Sequence, residues 1–261
     1  MGSPFLTIVV PAYNEAKRIR SSLEQLIRFS ETRTYPCEIL IVVEKSSDGT
    51  LRIAQDMLKG RPAFQVVDNQ VHRGKGYAVK SGMLKAQGEL IVFMDLDLST
   101  PLDEIGPFLE KMHKDPSMGI LIGNRRHPET EIVRRQSLVR QTMGRIFNWF
   151  VQRIAIRGIR DTQCGFKMFR KHTVRPIFQR QKTDRFSFDV EVLLLAQELG
   201  FKIADSPVRW KNEGESKVNI ITDSIRMLVD LFRVKRLVQS TLMTYRDPAE
   251  VEIPVSEKEA A

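Results

Sequence analysis

An α/β fold with a mostly parallel central sheet is what the sequence predicts, and three observations predict it. Short apolar runs at residues 6–10, 38–43 and 90–94 have the length and β-branched content of buried strands. Helical stretches follow the first two runs, so strands and helices alternate along the chain. Each run also ends in polar residues. In open sheets of this class ligands bind outside the carboxyl ends of the strands, so these polar segments are expected to meet at one edge.

In chain order, residues 6–10 run into Pro11-Ala12-Tyr13-Asn14-Glu15 and then a helix from Ala16 to about Phe29. Residues 38–43 lead into Glu44-Lys45-Ser46-Ser47-Asp48-Gly49-Thr50 and another helix. Arg73-Gly74-Lys75-Gly76 opens a helix over 77–86 and offers backbone N–H groups and a lysine charge, which suits phosphate. It lacks the spacing of a Walker A loop; the alternative is a glycine turn followed by a solvated lysine. The run at 90–94 delivers Asp95-Leu96-Asp97. In extended geometry residues i and i+2 face the same way, so both carboxylates can converge on one hard divalent cation while Leu96 turns inward. Two solvated aspartates in a turn are the alternative. Ile120-Leu121-Ile122 is a further strand, followed by Arg125, with Arg140 on the next helical stretch. Asp161-Thr162-Gln163-Cys164-Gly165 is a polar loop in which glycine permits close backbone approach. Asp189 and Glu191 begin a helix over 190–199, where acidic residues also complement the positive dipole end.

After Asn219 the character changes. Ile221, Ile225, Leu228 and Phe232 recur at helical spacing beside a stripe of Arg226, Asp230, Arg233 and Arg236. This predicts an amphipathic helix over 222–238 that either covers its own core or lies in a membrane interface. The expected organisation is one catalytic domain over 1–219, the amphipathic helix within 220–245, and a disordered acidic tail over 246–261.

Composition narrows the function. A formal net charge of +9 calls for an anionic partner. No helix-turn-helix, zinc-finger or RNA-binding pattern appears, and the basic residues are not interleaved with exposed aromatics, so no nucleic acid is expected. Phosphates and anionic lipid headgroups suit Arg125, Arg126, Arg134, Arg135, Arg140 and Arg145 better. Two cysteines, Cys37 and Cys164, make neither a disulfide framework nor a zinc cluster, and a reducing compartment follows. No leader pattern and no apolar stretch of about 20 residues is seen. The expected location is cytoplasmic, peripheral at the cytosolic membrane face.

These motifs, in this order, resemble those of family 2 glycosyltransferases of the GT-A fold. Val9-Val10-Pro11-Ala12-Tyr13-Asn14-Glu15 matches the family's opening strand and loop, His72-Arg73-Gly74-Lys75-Gly76 its glycine-lysine loop, and Asp95-Leu96-Asp97-Leu98-Ser99-Thr100-Pro101 its metal motif. Within the family the chain resembles the dolichyl- and polyprenyl-phosphate glucosyltransferases and mannosyltransferases. That narrower likeness rests on residues 161–169, 185–191 and Ser216-Lys217-Val218-Asn219.

The resemblance implies a nucleoside-diphosphate sugar donor, UDP-glucose or GDP-mannose, held by Pro11, Tyr13, Glu15, Glu44, Lys75, Asp95 and Asp97. It also implies Mg²⁺ or Mn²⁺ on Asp95 and Asp97, with Asp97 the principal ligand. Arg125 and Arg140 match the acceptor-phosphate arginines of the mannosyltransferases, whereas Gly144 stands where those enzymes have serine. Where the family commonly carries two aspartates and a glycine, this chain has Val43-Glu44-Lys45 before Ser46-Ser47-Asp48-Gly49-Thr50. A lipid phosphate has a second pKa near 6 and is largely ionised, so it needs positioning cations more than a base. The expected reaction is therefore inverting transfer of a hexose, glucose ahead of mannose, to a polyprenyl phosphate at a membrane surface. Either the chain's own helix or a membrane-anchoring subunit would bring it there. The alternatives are transfer to a hydroxyl acceptor with Asp189 as general base, and a non-catalytic anion-binding protein on the same fold.

Overall fold

A computed structural model describes residues 4–134, 138–156, 158–211 and 222–244, with the side chains of 134, 138–141 and 222–228 outside that description. The expected acidic tail and Ser216-Lys217-Val218-Asn219 also lie outside the described residues. Seven strands form the central sheet: β1 (Leu6–Ala12), β2 (Cys37–Val43), β3 (Phe64–Asp68), β4 (Leu90–Met94), β5 (Met118–Asn124), β7 (Phe166–Arg170) and β8 (Lys202–Pro207). Their order is β3-β2-β1-β4-β7-β5-β8. All neighbours are parallel except at β7, which runs antiparallel to both β4 and β5. A small parallel pair, β6 (Ile132–Arg134) with β9 (Trp210–Lys211), stands beside the sheet's carboxyl edge.

Helices α1 (Ile19–Glu31), α2 (Thr50–Leu58) and α4 (Ile105–Lys114) cover one face. Helices α3 (Lys75–Lys85), α5 (Leu138–Ile154), α6 (Lys171–Arg180), α7 (Phe188–Glu198) and α8 (Thr222–Thr244) cover the other. The pleat sorts the core accordingly: Leu6, Ile8 and Val10 of β1 pack with the first set of helices, and Val9 with the second. Both faces of the sheet are buried, which is why its strands read as continuous apolar runs rather than alternating ones.

The start of the first helix and the facing of the last differ from the sequence reading. The first helix starts at Ile19 rather than Ala16, because the Glu15 N–H donates to Thr50 Oγ1 (2.7 Å) and the Ala16 N–H to Asp48 Oδ2 (2.9 Å), which pins those residues to the loop after β2. The amphipathic helix extends to Thr244, and its buried side is Leu231, Val234 and Val238, packed into the core it shares with α5 and α7. Phe232, expected on the apolar stripe, is 58% exposed. Over its described part α8 is a core-covering helix.

Candidate active site

The β1/β2 register places Ala12 opposite Val43, so the loops beginning at Tyr13 and Glu44 leave the sheet side by side. β4, paired to β1 with Phe93 opposite Val9, ends next to them. Asp95 and Asp97 follow in a tight turn, not in the extended strand that the spacing suggested. The Leu98 N–H donates to the Asp95 carbonyl (3.1 Å), and Leu98 has a φ of 51°. Leu96 is buried at 4% exposure, as expected.

Lys75, the first residue of α3, reaches across to Asp95 Oδ1 at 2.6 Å. Burial opposes the lysine's charge, but Asp95, Asp189 and Asp97 together raise its pKa. Asp97 is pushed up as well, by burial first and by the neighbouring Asp95 charge second. A buried Asp97 whose ionisation is opposed by the Asp95 charge beside it, with a lysine drawn onto Asp95, describes a place built for positive charge. Among the described residues no third histidine, cysteine or carboxylate completes a metal cage. The donor set therefore suits an ion such as Mg²⁺ or Mn²⁺, which takes one or two carboxylates and fills its remaining positions with phosphate and water oxygens.

Glu44 is placed differently from a base-contacting group. Its side chain is 1% exposed, and its carboxylate accepts from the backbone N–H groups of Arg73 (3.1 Å) and Gly74 (2.9 Å) and lies 2.7 Å from His72 Nδ1. Two of the backbone donors expected to meet phosphate, those of Arg73 and Gly74, are thus taken up by an internal carboxylate. The loop's side chains are Arg73, which turns to Asp184, Lys75, which turns to Asp95, and the His72 ring, which stacks on Tyr13 at 3.7 Å between centroids and 7° between planes. Pro11 is half-buried at the end of β1, and Glu15 pairs with Arg18 at 2.5 Å. Pro11, Tyr13 and Glu15 lie along the same edge as Lys75 and Asp95, with Glu44 beneath them.

Arg125, the residue after β5, closes a bidentate fork on Asp161: Nε to Oδ2 and Nη2 to Oδ1, both 2.8 Å. Burial pushes the Asp161 carboxyl up, yet the Arg125 charge and bonds hold it below its usual value. Beside this pair is a cavity of about 550 Å³, lined by Arg125, Arg126, Arg145, Phe147, Gln163 and Trp210 among others. Arg126 donates from Nη2 to the Gly144 carbonyl (2.6 Å). Burial lowers its pKa, and the charges of Arg125 and Arg145 add to that against the pull of Asp161. Arg140 lies on α5, but its side chain is outside the described residues, as are Arg135 and the Arg134 side chain.

The loop from Asp161 to Gly165 touches both halves of the site. Asp161 holds Arg125, and the Gly165 carbonyl accepts from the Asp95 N–H (3.2 Å). A Cβ on Gly165 would overlap the Asp95 carboxylate, so any other residue there would push Asp95 from its place. Lys167, fully buried on β7, anchors this loop by donating to the Cys164 carbonyl (2.6 Å) and pairing with Asp189. Asp189 is itself 3% exposed; burial raises its pKa and Lys167 and Lys75 counter that. Glu191 neither caps its own helix nor faces a sugar pocket. Its carboxylate accepts from the Lys182 (2.8 Å) and Thr183 (2.7 Å) N–H groups and fixes the segment packed against Gly74 and Gly76.

Lys167, His72 and Trp210 were missed by sequence reasoning. A lone lysine inside Phe166-Lys167-Met168-Phe169 was the available signal for the first, since a charge in an apolar strand is buried only when paired.

The profile of Glycosyl transferase family 2 matches residues 7–178. Dolichyl-phosphate beta-glucosyltransferase ALG5C of Trichomonas vaginalis is 33% identical over 263 residues, covering 98% of this chain and 77% of that protein. The dolichyl-phosphate beta-glucosyltransferase of Dictyostelium discoideum is 34% identical over 241 residues, covering 88% of this chain and 74% of that protein. Among solved structures, glucosyl-3-phosphoglycerate synthase of Mycobacterium tuberculosis, in complex with Mn²⁺, UDP and glucosyl-3-phosphoglycerate, superposes with a TM-score of 0.61 at 18% identity. That match covers 92% of this chain and 79% of the other. The sheet and its flanking helices are those of the GT-A fold.

Proposed function

The chain belongs to glycosyl transferase family 2, and from that membership we propose that it moves glucose, with inversion, from a nucleoside-diphosphate sugar to a dolichyl-type polyprenyl phosphate. The observation that carries this is the continuity of the site: one loop, 161–165, links the Asp95-Asp97-Lys75 cluster to a cavity lined by three arginines. The names of the relatives support glucose and dolichyl phosphate as the sugar and acceptor.

In this proposal Lys75 moves from Asp95 to the donor diphosphate, and the Tyr13-His72 stack forms a wall for the base. Asp97, with Asp95, would hold Mg²⁺ or Mn²⁺, which supplies charge neutralisation for the departing diphosphate. An oxygen of the acceptor phosphate forms the new bond to the sugar C1 as the C1–O bond to the nucleoside diphosphate breaks. Arg126 and Arg145 hold the acceptor, while Arg125, anchored on Asp161, adds its charge to the same wall.

Because the acceptor is already ionised, no base is needed. Asp189, which a hydroxyl acceptor would require, is sealed in an ion pair with Lys167. The unusual Glu44, the one feature favouring a non-catalytic protein, has a structural role as the clamp of the 72–74 loop.

The test is a panel of UDP- and GDP-sugars with a short polyprenyl phosphate and Mn²⁺, following nucleoside diphosphate release. UDP-glucose should be consumed ahead of GDP-mannose. Arg126→Ala and Arg145→Ala should raise the KM for lipid phosphate by about tenfold or more and leave nucleotide-sugar binding intact. Preference for a neutral hydroxyl acceptor would reject the proposal.

A further inference from the structure

Three large apolar side chains stand exposed on two neighbouring elements: Trp149 (59%) and Ile146 (44%) on α5, and Val133 (60%) on β6. On α5 the exposed residues Arg145, Ile146, Trp149 and Arg153 recur at helical spacing on one side, while Phe147 and Val151 are buried in the core on the other. The 17 residues of α5 include no acidic residue. Among the described residues no carboxylate pairs with Arg145 or Arg153, so the patch joins apolar groups to uncompensated positive charge. The same two elements line the arginine cavity, which includes Ile132 and Arg145.

We propose that the outer side of α5, with β6, is a docking surface for an anionic lipid bilayer, in which Trp149, Ile146 and Val133 enter the headgroup boundary and Arg145 and Arg153 meet lipid phosphates. The occupant follows from continuity and charge. This rests on the polyprenyl-phosphate reading of the cavity, because a prenyl chain stays in the bilayer and only its phosphate can reach Arg126 and Arg145. The protein must therefore present that side of itself to the membrane. Tryptophan suits such a boundary, with an apolar ring and one N–H to leave in the wet layer. A second copy of the chain would leave the arginines facing arginines. α8 also exposes Val229, Phe232 and Met243, but none of its described residues lines the arginine cavity, so α5 with β6 is the side continuous with the acceptor site.

Sedimentation with phosphatidylcholine vesicles containing phosphatidylserine tests the proposal. The full chain should bind at low salt and be released as salt rises, each arginine contributing about fivefold to the partition. Trp149→Ser combined with Ile146→Ser should lower binding by about tenfold or more, with unchanged melting and nucleotide-sugar binding. Arg153→Glu, which leaves the apolar groups in place, should weaken binding and flatten its salt dependence. Turnover of a long-chain acceptor in vesicles should fall in the double variant, while turnover of a short, dispersed prenyl phosphate stays at wild-type level. The proposal is overturned if wild type stays in the supernatant at low salt, if Phe232→Ser rather than the α5 variants removes binding, or if the α5 variants instead dissociate a dimer. Vesicle binding through α5 without any use of lipid phosphate would uphold the surface and reject the acceptor.

Discussion

In the proposed reaction Asp97 concentrates the donor chemistry at one side chain. Asp97→Asn removes an anionic ligand without changing shape, and a contact of this kind is commonly worth a few kcal/mol in the transition state. Metal-dependent transfer should fall by about a hundredfold or more, with an unchanged melting temperature; a folded variant that turns over normally would remove the metal assignment. The two cysteines behave in the opposite way. Burial pushes the Cys37 thiol up to about 12, with the Glu38 charge adding to it, and burial pushes Cys164 up to about 11. Since the thiolate is the nucleophile, neither should react with a maleimide at pH 7.5 in the folded protein, and both should react once it is unfolded, as mass spectrometry would read directly. Candidates were legible at this scale where motifs are local: Asp95-Leu96-Asp97 and Lys75 stand out within a few residues, and the structure brings Lys75 onto Asp95. Glu44 was not, because its partners lie 28 to 30 positions away and nothing local distinguishes a clamp from a ligand contact.

Elements are held in register by a few buried contacts whose loss should be measurable. Lys167 on β7 and Asp189 on α7 form a buried ion pair, so Lys167→Met strands a carboxylate and should cost about 3–5 kcal/mol in urea unfolding. Adding Asp189→Leu should recover at least half of that, because the stranded charge goes with it. No recovery would mean that Lys167 acts mainly through the Cys164 carbonyl. For α8, Leu231→Ala should cost about 2–5 kcal/mol and Phe232→Ala less than about 1, the pattern of a helix whose core side is Leu231-Val234-Val238. Equal costs would contradict that orientation. Sequence periodicity found this helix but turned it slightly wrongly, because Leu231 and Phe232 are adjacent and equally apolar, and only the α5 and α7 surfaces decide between them. The strands 90–94 and 38–43 were legible from buried apolar runs. β7 was not, since its lysine and its antiparallel direction both depend on partners far along the chain.

The whole molecule carries carboxylates pulled in both directions, and its pH response follows from their signs. Asp115 is held at about 2, mainly by Lys202 and then Ser117. Between its ordinary value near 4 and about 2 the unfolded chain binds more protons there, so that contribution is lost as pH falls through this window. Asp97, Asp189 and Glu191 are raised, each chiefly by burial, so the folded chain binds more protons there just above the ordinary carboxylate range. Stability should therefore rise as pH falls from neutral into that range and drop below about 4, giving a maximum on the acid side of neutral in a melting-temperature series; a maximum above pH 7 would contradict these shifts. The insertion of β7 between β4 and β5 has a further consequence, which concerns synthesis. β4, the all-apolar Leu-Ile-Val-Phe-Met, leaves the ribosome with one edge unpaired, and the strand that covers it follows about 70 residues later. At about 5–20 residues per second that edge waits several seconds, long enough to be a template for another nascent chain. Messages truncated between the two strands should yield insoluble protein, and slow translation across residues 95–165 should lower the soluble yield of the full chain.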